Sequence, residues 1–147
     1  MKRIIFVVVI VAVVILGAFL LAGCGDLTQK GEKTVTILVV DGGGDVVFLK
    51  EVKTEELYLA GVLGEVEGVD FDIAGGFINY VTVGGVSYGA GGNEWVAIYT
   101  SSAHNRLIMP EWGTIEVEGA TYASAALGLA DMPLRRGYVY VFAVREF

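Results

Sequence analysis

Cysteine is almost missing from this chain. Cys24 is the single thiol, so no internal disulfide can close and a disulfide framework is excluded. Histidine is as scarce, with His104 alone. A zinc centre draws three or four ligands from Cys, His and carboxylates, so none is expected, and neither is a resident cofactor. Positive charge is in deficit too. Ten Lys and Arg stand against 17 Asp and Glu, a formal net charge of −7. An acidic domain is a poor partner for nucleic acid, which selects basic surfaces. Its charge reads as a solubility device.

Several catalytic patterns are missing as well. The run Asp41-Gly42-Gly43-Gly44-Asp45 lacks the following Lys-Ser/Thr and helix of a phosphate loop, so it reads as a turn. Ser101 and Ser102 lie near His104, but outside the strained elbow in which a nucleophilic serine sits, so this stretch reads as an exposed loop. Asp70 and Asp72, with Glu65 and Glu67 close by, do not keep the spacing of a calcium loop and read as a solvated acidic loop. No enzyme is expected.

What is present begins at the N-terminus. Met1-Lys2-Arg3 is a basic start, and Ile4 to Ala22 carries no charged or polar side chain. A basic region followed by an apolar one is the layout of a secretory signal. The run is also long enough to span a bilayer. It ends in Leu21-Ala22-Gly23-Cys24, which looks like a lipobox: small residues admit the peptidase, and the thiol takes the diacylglycerol. An uncleaved transmembrane helix with an idle cysteine is the alternative. Under either reading the positive start stays in the cytoplasm and the rest lies outside. A signal peptide over 1–23, a lipidated cysteine and short tether over 24–33, and one domain over 34–147 follow. Lipid attached at Cys24 would hold the protein on the extracytoplasmic face of the cell membrane.

Within the domain, Thr34 to Val40 is rich in β-branched residues and reads as a strand. With Val46 to Val52 it forms a hairpin across the glycine loop. Thr54-Glu55-Glu56 suits a helix start, and Leu59, Val62 and Leu63 repeat at helical spacing. One short helix, about Glu55 to Glu65, is expected. Phe77 to Val83, Glu94 to Tyr99, Thr114 to Val117 and Tyr138 to Val144 read as further strands, with Gly84-Gly85 as a turn. This order implies an α+β domain in two layers, a mixed sheet packed on one helix. Phe77, Tyr80, Tyr88, Trp95, Tyr99, Trp112 and Tyr122 crowd the glycine-rich middle. Glycines let a ligand approach backbone and aromatics offer flat faces, although any one of these rings also suits a small core.

The strand Thr34 to Val40, the helix around Leu57 to Leu63, Gly76-Phe77-Ile78-Asn79-Tyr80-Val81, Glu94 to Tyr99, Gly128-Leu129-Ala130-Asp131, Arg136-Gly137 and the last strand occur in a telling order. From about Lys33 to Phe147 the chain resembles the transcobalamin-like C-terminal domain. That family occurs in bacterial surface proteins and as the smaller domain of animal transcobalamin and intrinsic factor. The resemblance implies a β-grasp fold, a mixed sheet wrapping one helix. It implies cobalamin or a related corrinoid as ligand, met by Ala74 to Asn79 (Gly76, Phe77, Ile78 and Asn79 above all) and by Trp95, Val96, Ala97 and Ile98. A corrin is broad, partly apolar and rimmed with amides, which backbone and an aromatic edge suit. Two departures stand out. Nothing here can build the large helical domain that completes the animal site. Thr100 to Met109 and Trp112-Gly113-Thr114 match nothing in the family pattern and read as an insertion. The expected function is a membrane-anchored extracytoplasmic binding lipoprotein, delivering its ligand to a transporter. The alternative is a protein-interaction module of the cell envelope.

Overall fold

A computed structural model describes residues 27–147. The expected signal segment over 1–23 and the lipidation site Cys24 lie outside the described residues. About half of the described chain is strand, arranged in a six-stranded sheet and a three-stranded one. Helix is confined to five residues and one 3-10 turn. The fold is therefore more β than the α+β expectation.

Strand β1 (Lys33–Val40) and β2 (Val46–Thr54) are the expected hairpin. Asp41 sets its turn: one carboxylate oxygen, Oδ1, accepts the amides of Gly43 and Asp45, both at 2.9 Å. Aspartate makes such local side-chain turns readily. β9 (Val139–Glu146) lies parallel to β1, with Thr36 opposite Val139 and Val40 opposite Ala143. β6 (Glu94–Thr100) pairs antiparallel with β9 along its whole length. β8 (Ala120–Ser124) joins β6 only at Tyr99 and Thr100, and β7 (Thr114–Val117) closes the edge. The order is β2-β1-β9-β6-β8-β7.

β1 and β9 carry nearly continuous apolar runs because both their faces are covered. On one face Val35, Ile37, Val39, Val96, Tyr140 and Phe142 pack with the helix and the small sheet. On the other, Leu38, Val40, Ala97, Tyr99, Val141 and Ala143 cluster with Ile115 and Val117 of β7. The β7–β8 hairpin therefore curls over that second face, as its brief pairing with β6 permits.

Helix α1 spans only Leu59–Leu63, much shorter than Glu55 to Glu65. Thr54 does not cap it. It ends β2, where its hydroxyl donates to Glu65 Oε2 at 2.8 Å and accepts the Glu56 amide at 3.0 Å. The residues before the helix are drawn out to pair with the segment after Gly128. Leu134 N–H donates to Leu57 O, Leu59 N–H to Met132 O and Ala60 N–H to Leu129 O, all within 2.8–2.9 Å. First-turn amides of a helix need partners; a neighbouring loop supplies them here. The apolar spacing was informative nonetheless, since Leu59, Val62 and Leu63 are the buried face.

The small sheet consists of β3 (Val69–Ala74), β4 (Phe77–Val83) and β5 (Val86–Tyr88). The carboxylates Asp70 and Asp72 thus lie on a strand, contrary to the expected acidic loop. Between them Phe71 turns inward and meets the Phe142 ring, centroids 4.9 Å apart. Gly75-Gly76 and Gly84-Gly85 turn the two hairpins, all four with φ between 58° and 81°, the left-handed pair that tight hairpins require.

Residues 27–32 are docked and not a loose tether. Leu27 packs on the main core, and the Arg136 amide donates to Gln29 Oε1 at 2.7 Å.

Candidate functional site

An open groove of about 670 Å3 runs beside β6. Its origin is the splaying of two strands. β8 leaves β6 after the Tyr99–Ser124 pair, one further bond joins Ala125 N–H to Ile98 O at 2.9 Å, and then Ala126 turns away to donate to Leu107 O. The floor is the backbone edge of β6, so five consecutive residues, Trp95 to Tyr99, line it. Ser124 to Gly128 form the opposite wall, the turn residue Gly76 with Phe77 and Ile78 of β4 one end, and Trp112-Gly113 the rim. A second cavity of about 330 Å3 continues past Phe77 and Trp95 to Phe147.

The direction of the β6 amides follows from its flanks. Asn93 O accepts from Phe147 N–H, and Ser101 N–H donates to Val139 O. Trp95, Ala97 and Tyr99 therefore aim their backbone at β9, and Val96 and Ile98 aim theirs outward. The Ile98 carbonyl is taken by Ala125. The Val96 N–H and C=O and the Ile98 N–H have no backbone partner among the described residues.

Aromatic rings surround this edge. Phe77 is 77% exposed, Trp112 63% and Trp95 43%. Trp95 stacks on Phe147, centroids 6.2 Å apart and planes within 25°. Soluble surfaces seldom leave several large rings together in water unless something binds there.

Gly76, Phe77, Ile78, Trp95, Val96, Ala97 and Ile98 all line the groove. Asn79 does not. Its amide donates to Asp72 Oδ2 at 2.7 Å across the β3–β4 pair. The sequence reading missed the wall from Ser124 to Gly128 and Arg145, and it named Trp112 among the candidate rings without placing it in the ligand contact set. Trp112 belonged to a stretch read as an insertion, and its place depends on the long-range β6–β8 pairing. His104 serves its own loop: its amide donates to Ser102 Oγ and its Nδ1 accepts the Arg106 amide. Among the described residues no group of three or more His, Cys, Asp or Glu side chains is placed to hold a metal.

No family model matches the sequence, and no curated protein does. A solved structure from Ruminococcus gnavus ATCC 29149, described as a "putative metal binding protein", is similar in fold. Its TM-score is 0.53 at 19% identity, over 79% of this chain and 99% of that one. At that identity the likeness concerns the fold alone.

Proposed function

We propose that this chain is a membrane-anchored extracytoplasmic binding lipoprotein of β-grasp fold, related to the transcobalamin-like C-terminal domains, whose β6 groove takes cobalamin or another corrinoid. The observation that carries the reading is the joint exposure of Phe77 and Trp95 on one groove. A buried pair would have removed both from any ligand. The groove also offers unpaired amides at Val96 and Ile98 beside flat rings, which matches a broad ligand rimmed with amides. The parallel β1–β9 centre with α1 packed on one face supports the β-grasp assignment.

The neighbour's metal-binding description is not carried over, since the described residues gather no ligand set.

Calorimetric titration of cyanocobalamin into the protein, wild type against Trp95→Ala, tests the reading. Saturable heat that the variant loses is expected; no heat from the wild type at any practical concentration refutes direct capture. The unpaired edge of β6 favours a second reading, in which a partner protein adds an extended strand there. Val96→Pro removes one edge amide and should abolish such capture while leaving corrinoid heat reduced but present.

A further inference from the structure

Among the described residues that line the groove, Arg145 is the cation, and it is in no ion pair with a described carboxylate. Arg145, near the end of β9, lies opposite Trp95 in the β6–β9 register and so shares its face. Its head is fixed by neutral groups. Nε donates to the Tyr99 hydroxyl at 2.9 Å, the guanidinium carbon sits 5.3 Å from the centre of the Tyr99 ring, and Nη2 reaches the Thr114 carbonyl at 3.5 Å. Among the described residues the ion pairs are Lys50–Glu67 and Lys53–Glu32, and neither involves Arg145. Glu146 also lines the groove, but strand alternation turns it to the opposite face from Arg145.

We propose that Arg145 is an anion anchor and that the groove selects amphipathic ligands: a flat apolar body on Trp95 and Trp112, with a phosphate, sulfonate or carboxylate on the guanidinium. This rests on the groove being a binding site, and names the class of ligand it takes. Three features support it. A guanidinium has five N–H groups in a planar fork suited to carboxylate and phosphate, and two of its nitrogens are engaged here, which leaves donors free. Holding the head by a ring and a hydroxyl fixes it before binding, so little side-chain freedom remains to be lost. Finally, the chain is acidic overall, with a net charge of −7. A general attraction for anions is therefore absent, and any preference must be local to this residue.

The test compares 2-naphthoate with its uncharged analogue 2-naphthamide, by equilibrium dialysis against the full chain in lipid nanodiscs, with uptake by empty nanodiscs subtracted. Wild type is expected to bind naphthoate roughly tenfold more tightly, the size of one charge-assisted hydrogen bond. Salt should erode that preference without affecting the amide. Arg145→Gln should abolish the preference, so that naphthoate binds no more tightly than naphthamide, Arg145→Lys should keep part of it, and Trp95→Ala should weaken both ligands. Equal binding by wild type, or a preference that survives in Arg145→Gln, would overturn the anion anchor and leave the groove standing as a site. Binding of neither ligand by wild type would overturn the selection of flat amphipathic anions, whereas the corrinoid reading stands or falls on the cyanocobalamin titration. The wild-type comparison and its salt dependence need no variant to fold.

Discussion

Tyr140 offers the sharpest test of how the fold is held. It is fully buried on β9. Its hydroxyl donates to the Pro133 carbonyl at 2.7 Å and accepts the Arg135 amide at 3.2 Å. This one oxygen pins the 133–135 segment against the sheet. Tyr140→Phe keeps the ring and leaves the Pro133 carbonyl, which is itself buried, without this partner. Such a group costs about 1–3 kcal/mol at neutral pH, a fall in Tm of roughly 5–15 °C for a domain of this size. The pH dependence is more specific. Burial pushes the phenol well above its ordinary range, with the Arg135 hydrogen bond pulling the other way. The unfolded chain releases this proton near pH 10 while the folded chain retains it. Stability from this group is complete below that point and is lost above it, by about 1.4 kcal/mol per pH unit. Urea melts of wild type and Tyr140→Phe from pH 7 to 11 should show a gap that is constant up to about pH 9.5 and narrows beyond it. A gap that stays constant or widens through pH 11, or none at pH 7, would refute the reasoning.

Other consequences follow from the same geometry. Phe142→Ala removes a fully buried ring that meets Phe71 and should cost about 3–5 kcal/mol in denaturant melts. Phe77→Ala should change stability by no more than about 0.5 kcal/mol, because the ring is largely exposed, yet weaken cyanocobalamin binding in the calorimeter. Gly85→Val puts a β-branched residue at φ 81° and should destabilise by at least about 1 kcal/mol, read as a lower Tm. On the proposed lipidation at Cys24, the wild-type chain should incorporate labelled palmitate in cells and Cys24→Ser should not.

The sequence made the central strands legible because burial on both faces writes long β-branched runs, as in Thr34 to Val40 and Tyr138 to Val144. The groove's lining on β4 and β6 coincides with residues named from a resemblance and not from any local pattern. Phe77 and Trp95 carry no local mark that separates a binding ring from a core ring. The helix was overdrawn because Thr54 and the two glutamates imitate a helix start, whereas the pairing of Leu57 to Ala60 with the 129–134 segment is a long-range event. β3 was lost because Val69-Asp70-Phe71-Asp72 alternates apolar and acidic residues, a strand exposed on one face, and the carboxylates drew attention from that period. Arg145 was invisible for a similar reason. Only the β6–β9 register sets it beside Trp95, and register is not written in either strand alone.

The chain contains two tryptophans, and both line the groove. Their indole N–H resonances are therefore built-in reporters of the proposed site. Titrating cyanocobalamin into 15N-labelled protein, the account predicts that both indole signals shift together and saturate at one ligand per chain. Signals that stay fixed while ligand is in excess, or shifts confined to residues away from β4 and β6, would contradict it.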